Sequence, residues 1–259
     1  METKSLILLM FLLQAIINGV KPNPNNQAFR CSKNGNLDDN LLKERDENIN
    51  ALKNRGTANS VYPGYEISTG NGIWVTSLCP PHAQLEHCRS CVNTTIPYLQ
   101  KNCPKQKEGV VLVHLCLDLH VAWTIYLKMH CTVRYADNPN FGNIAEWGWF
   151  TPSATHPPTP ANAGELEKAL NDLSNQLKEK VKGLNNNKYG TGSINYGPGS
   201  KTLYAAMQCI RGIAIEECVK CLSDATNEIH KCCSKLRKTG GIVLSAKCSY
   251  WYEHFKFFP

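Results

Sequence analysis

Apolar positions recur at helical spacing in two long stretches of the chain. In NLLKERDENINALKNR, Leu41, Leu42, Ile49 and Leu52 fall toward one side of a helix. In GELEKALNDLSNQLKEKVKGL, Leu166, Leu170, Leu173, Leu177 and Val181 do the same. The second stretch stops near Gly183 and mixes acids with lysines on its polar side, so its leucines are expected to pack on a sheet rather than lie on a membrane. Runs rich in aromatic and β-branched residues read as strands: YEIST, GIWVTSL, KTLYAAMQC, GIVLSAKC, CTVRY and CSYWYEHF. The stretches from Cys88 to Leu99 and from Glu216 to Ile229 read as shorter helices. Helix, strands, helix, strands thus occurs twice, which is an α+β pattern.

The cysteines sharpen this into a duplication. LCPPHAQLEHCRSCV, with Cys79, Cys88 and Cys91, returns as QCIRGIAIEECVKCL, with Cys209, Cys218 and Cys221, and both are C-x8-C-x2-C. Each copy continues through 11 residues to a further cysteine, Cys103 or Cys233, and then to a G-[VI]-V-L run at Gly109 or Gly241. The copies close on Cys131 and Cys248. Matched intervals and matched flanks together mark an internal repeat. TPSATHPPTPANAG, dense in proline, reads as a semi-rigid extended connector. The expected organisation is a leader over 1–20, a first domain over 27–149, a linker over 150–161 and a second domain over 162–259.

The leader follows from Lys4 and the apolar run Ser5 to Ile17 before polar NGVKPNPNNQ, a length that suits a secretory signal and is short for a membrane span. Secretion places the chain where disulfides persist, and no later stretch is continuously apolar enough to span a bilayer. A formal net charge of +7 allows weak attraction to acidic polysaccharide or anionic lipid. Its lysines are scattered among acids and no nucleic-acid motif is present, so nucleic acid is excluded as a partner.

Three chemistries compete for the cysteine cluster. Zinc would require Cys79, Cys88 and Cys91 with His82 or His87, but the second copy has Gly212 and Glu217 in place of the histidines. Thiol exchange would need a low-pKa thiolate at a helix start, as Cys88-x2-Cys91 could offer, but each of these cysteines has a plausible partner elsewhere. Structural disulfides fit the secreted context and the repetition best. The histidines do not recur at matched positions, and no G-x-S-x-G, H-E-x-x-H or nucleotide-binding glycine loop is present. The sequence therefore points to no enzyme, no cofactor and no metal.

The doubled C-x8-C-x2-C, CTVRYADNPNF and KCCSKLRKTGGIVLSAKC closely resemble the plant cysteine-rich repeat secretory proteins, which carry two ginkbilobin-homologous, or stress-antifungal, domains. The resemblance implies an α+β fold of two tandem disulfide-stapled domains, each an antiparallel sheet packed with two helices. It also implies the pairs Cys31–Cys103, Cys79–Cys88, Cys91–Cys131, Cys209–Cys218 and Cys221–Cys248. Cys232 and Cys233 stand where the first copy has Cys103 alone, and the second copy lacks an N-terminal cysteine. A vicinal bond and an interdomain bond are both open for them. Cys116 has no counterpart and stays unassigned.

Mannose-binding members of that family use an asparagine after the first cysteine, an arginine six residues before the last and a glutamate five after it. The matching positions here are Ser32, Ile125 (or Val110 once extra residues are removed) and Ala136, then Ile242 and Glu253 in the second copy. Isoleucine has no donor for a sugar hydroxyl, so only Glu253 fits and mannose binding by that site is not expected. The extra residues lie in VHLCLDLHVAWTIYLKMH, residues 113–130, read as an inserted segment that is either foreign to the fold or a hydrophobic loop meeting the sheet or a partner. Asn93-Thr94-Thr95 is the sole N-glycosylation sequon. The expected function is a secreted, apoplastic, non-enzymatic interaction protein of stress or defence that binds a receptor ectodomain or wall component, with a mannose-type antifungal protein as the alternative. Trp147, Trp149, Tyr250, Trp251 and Tyr252 are its candidate anchors.

Overall fold

The computed structural model describes residues 27–55, 64–68, 72–80, 83, 85–117, 127–138, 149, 151, 163–183, 188–197, 201–210, 213–234 and 240–258. The expected leader, nearly all of the linker, and Trp147 lie outside these residues.

The first repeat runs from strand Gln27–Cys31 (β1) through helix Asp39–Arg55 (α1), strands Gly64–Ser68 (β2) and Trp74–Leu78 (β3), and helix Leu85–Asn102 (α2). Strands Glu108–Leu117 (β4) and Leu127–Ala136 (β5) complete it. The second runs through helix Ala163–Gly183 (α3), strands Tyr189–Tyr196 (β6) and Lys201–Cys209 (β7), and helix Ile215–Ile229 (α4). It then passes through a π-helical turn, His230–Ser234, to strands Gly240–Leu244 (β8) and Cys248–Glu253 (β9). The sheets are antiparallel with orders β1-β4-β5-β3-β2 and β6-β7-β9-β8. They superpose in sense as β2-β3-β5-β4 on β6-β7-β9-β8, so the repeat seen in the cysteines is a repeat of topology. β1, which carries Cys31, has no counterpart among the described residues of the second copy.

Strand alternation assigns the two faces of each sheet. Val75, Val111, Val113, Val133 and Tyr135 point into a first core under α1 and α2. Leu203, Ala205, Met207, Tyr250 and Tyr252 point into a second core under α3 and α4. α3 delivers the periodicity read from its sequence: Leu166, Leu170, Leu173, Leu177 and Val181 are fully buried. α1 is less regular. Ile49 and Leu52 are buried while Leu41 and Leu42 are half-buried, and Arg45 lies inside with them. Its Nη1 donates to the carbonyls of Cys103 (3.1 Å) and Pro104 (2.8 Å), and its guanidinium stacks over Tyr135 at 5.2 Å from the ring centre. A long cation buried with its donors satisfied takes the place of a leucine.

The glycine that opens each G-[VI]-V-L run has a steric reason. A Cβ on Gly109 would stand 2.7 Å from Tyr135 Cε1 and 3.1 Å from Cys103 Cβ. One on Gly241 would stand 2.7 Å from Cys233 Sγ and 2.8 Å from Tyr252 Cε1. The same cysteine and the same tyrosine press on the same backbone in both copies. Gly241→Val is expected to cost about 2 kcal/mol in urea unfolding, as other overpacked cores do. Gly183→Ala, with nothing within 4 Å of the new atom, is expected to be neutral or mildly stabilising.

The segment expected as an insertion continues a hairpin. β4 and β5 pair from Glu108 with Ala136 as far as Leu117 with Leu127, Cys116 lying opposite Lys128. Residues 118–126 lie outside the described set. The second copy's hairpin is shorter, pairing only from Gly240 with Glu253 to Leu244 with Ser249.

Candidate functional site

The C-x8-C-x2-C pattern works because its last two cysteines sit three apart on a helix and so share one face. From α2, Cys88 reaches Cys79 at the end of β3 and Cys91 reaches Cys131 on β5. From α4, Cys218 reaches Cys209 at the end of β7 and Cys221 reaches Cys248 on β9. Each second helix is thereby bolted to two strands of its own sheet. Cys31 on β1 bonds to Cys103 just past the end of α2. Cys232 is bonded to its neighbour Cys233. No described cluster of His, Cys, Asp and Glu could hold a metal ion.

The outer faces of the two sheets are covered over the strands where they meet, while Ser193 and Asn195 on β6 stay exposed. Val110, Leu112 and Ala136 from the first copy form one buried cluster with Ile242, Leu244, Ala246 and Trp251 from the second. Two buried polar groups cross the same seam. Arg134, fully buried, donates from Nε to Thr76 Oγ1 (3.0 Å) and from Nη1 to the Ala246 carbonyl (2.9 Å). Gln208 Nε2 donates to the Cys79 carbonyl at 3.0 Å. Glu108 lies at the seam's border, where burial pushes its carboxyl above the usual value against the donation from Asn138 Nδ2 at 3.3 Å. The result is four layers, with the helices outside and the two sheets back to back. Arg134 and the apolar outer faces were not among the residues singled out from the sequence. The signal was present in GVVLV and GIVL, which are apolar without alternation and so read as strands buried on both faces.

That seam also occupies the positions of the sugar-binding pattern. Val110, Ala136 and Ile242 are all part of the buried cluster. Ser32 is taken up locally, its hydroxyl accepting from the Glu108 amide at 3.3 Å. Glu253, the one residue that matched by position, is 2% exposed, accepts from Trp251 Nε1 at 2.9 Å, and is packed against Gly240. It is not open to a ligand. The aromatic anchors need the same correction. Tyr250 and Tyr252 are core residues whose phenols burial pushes well above their ordinary range, and the Ser174 hydroxyl donates to that of Tyr250 at 2.8 Å. Trp251 is buried in the seam and stacks on Phe257 with centroids 4.0 Å apart. Trp149 packs against the second core. Both faces of CSYWYE are covered, so its aromatics are structural.

Asn93 is exposed, on the outer side of α2. Thr95 of the same sequon is buried, and its hydroxyl donates to the Cys91 carbonyl at 2.6 Å.

The family model for salt stress response/antifungal domains matches residues 25–138 and again residues 154–255. The chain belongs to this family. Among relatives of this stress-antifungal tandem, cysteine-rich repeat secretory protein 38 of Arabidopsis thaliana is 27% identical, covering 93% of this chain and 90% of the relative. Cysteine-rich receptor-like protein kinase 26 of the same plant is 29% identical over 98% of this chain, which spans 36% of the kinase. The crystal structure of the tandem DUF26 ectodomain of the A. thaliana cysteine-rich receptor-like protein PDLP8 aligns with a TM-score of 0.57 at 15% identity, over 87% of this chain and 96% of that one. The corresponding ectodomain of PDLP5 aligns at 0.55 and 18% identity. These structures share the fold, two antiparallel sheets with helices and disulfides. The stress-antifungal tandem is thus a secreted, extracellular, cysteine-rich repeat protein. No helix among the described residues is long and apolar enough to cross a membrane.

Proposed function

We propose that this stress-antifungal tandem is a non-enzymatic interaction protein of the plant apoplast, acting in stress or defence by binding a protein such as a receptor ectodomain, or a wall component. The observation that carries this reading is the seam. By burying Val110, Ala136 and Ile242 between the sheets, it joins the domains into one body and uses up the positions where related domains hold mannose. What faces outward is the polar side of the helices, including Lys168, Asn171, Lys180 and Asn93. Receptor-like kinases and receptor-like proteins carrying this tandem as their outer part supply the partner class by analogy.

A parallel screen of the correctly oxidised protein against receptor ectodomains, wall polymers and mannosides tests the proposal. Saturable binding to one protein or wall polymer is expected, with no response to mannose or mannan. Saturable mannose binding that is lost in Glu253→Gln would overturn it in favour of a lectin.

A further inference from the structure

We propose that Cys232–Cys233 is a reversible thiol–disulfide exchange site, taking a dithiol reductant as its substrate, in a framework whose other disulfides are structural. Its place in the fold differs from theirs. The other bonds described tie a helix or its end to a strand, with Cα atoms 5.5–6.2 Å apart and sequence separations from 9 to 72 residues. Cys232 and Cys233 are adjacent, with Cα atoms 3.7 Å apart. That spacing is what a trans peptide imposes and lies below the range in which disulfides are ordinarily unstrained.

Two consequences follow from adjacency. A bond between neighbours encloses no chain, so it removes almost no freedom from the unfolded state and does not act as a staple. A strained and accessible disulfide is also the kind that reduces first, while the unstrained buried ones persist. Access is present here: Cys232 is half-buried, next to exposed Lys231 in the π-helical turn that ends α4. Packing does not depend on the bond. Cys233 is 4% exposed and is held by its contact with the Gly241 backbone, as Cys103 is held over Gly109 in the first copy. In that copy the matched cysteine is joined to Cys31 on β1, and no equivalent of β1 is present among the described residues of the second. The second copy has kept the packing cysteine and exchanged a long-range tether for a local, openable one.

The step balances with the reductant named. A thiolate of the dithiol attacks Cys232 Sγ, and the bond to Cys233 breaks with its electron pair going to Cys233, which takes up a proton. The second thiolate attacks the mixed disulfide, releases Cys232 as a thiol, and leaves the reductant as its cyclic disulfide. Two electrons and two protons enter the protein, and α4 stays bolted to β7 and β9 by Cys209–Cys218 and Cys221–Cys248.

Native protein titrated with dithiothreitol, trapped with N-ethylmaleimide and mapped by mass spectrometry tests this, with near-ultraviolet circular dichroism following the fold. Cys232 and Cys233 are expected to be modified at least about tenfold lower in dithiothreitol than any other disulfide, with the spectrum unchanged and the bond restored by oxidised glutathione. Cys232→Ala, which breaks the bond and leaves Cys233 packed, is expected to melt within about 3 °C of the parent. The proposal is overturned if the pair reduces only together with the others or with loss of the spectrum, if Cys232→Ala melts far below the parent, or if mapping of untreated protein finds either sulfur free or bonded elsewhere.

Discussion

Replacing Cys91 and Cys131 together by alanine is expected to destabilise the first domain by about 4 kcal/mol. The bond joins residues 40 apart, so cutting it releases a long loop in the unfolded chain. Both cysteines are fully buried, and Thr95 Oγ1 lies 3.5 Å from Cys131 Sγ, so the alanines also leave lost contacts inside the core. Cys79–Cys88, which joins residues only 9 apart, is expected to cost about 1 kcal/mol less by the same loop argument. The Arg89–Glu86 ion pair on the same helix, with Glu86 largely exposed, is expected to contribute under about 1 kcal/mol. Thermal unfolding of the alanine double variant should show a midpoint lower by at least about 10 °C for the first domain. An equal loss in both disulfide variants would show that strain or packing, and not loop closure, sets the ranking.

The elements that sequence reasoning located are those whose signal is local. Leucines at helical spacing specified α3, and cysteine spacing exposed the duplication, because each depends only on residues near one another along the chain. The inner and outer faces of the strands were a harder matter. The aromatics of CSYWYEHF offered candidate anchors, yet Tyr250 and Tyr252 fill the core while Trp251 fills the seam. A strand covered on both sides has no polar face by which to judge its surroundings. Glu253 shows the converse limit, since it stands at the right distance from the last cysteine but is closed in by Trp251 and Gly240. Counting locates a residue along a strand and says nothing about what a second domain lays over it. The pairing of Cys232 and Cys233 was open for a related reason: their first-copy equivalent finds its partner on β1, and the matching cysteine is missing from the second copy's sequence.

Arg134→Ala is expected to uncouple the two domains, at a cost of about 3 kcal/mol to the joined state. The side chain lies wholly inside the seam and supplies one bond within its own domain, to Thr76, and one across it, to the Ala246 carbonyl. Truncation removes the charge-assisted donors to Thr76 and Ala246, leaves the Ala246 carbonyl without this donor in an apolar setting, and opens space inside the seam. Desolvating a guanidinium acts in the opposite direction, which is why the hydrophobic replacement matters as a comparison. Arg134→Met fills most of the volume without a charge and should recover about half of the loss. Arg134→Glu puts an acceptor where an acceptor already stands and should be the worst of the three. Urea unfolding followed by tryptophan fluorescence reads the seam through Trp251 and Trp74, both of which belong to it. The parent should unfold in one transition, and the alanine and glutamate variants in two, the first of them a fluorescence change with little loss of helix. If all three variants unfold in a single transition at the parent's midpoint, the apolar cluster and the Gln208–Cys79 bond join the domains without help from Arg134.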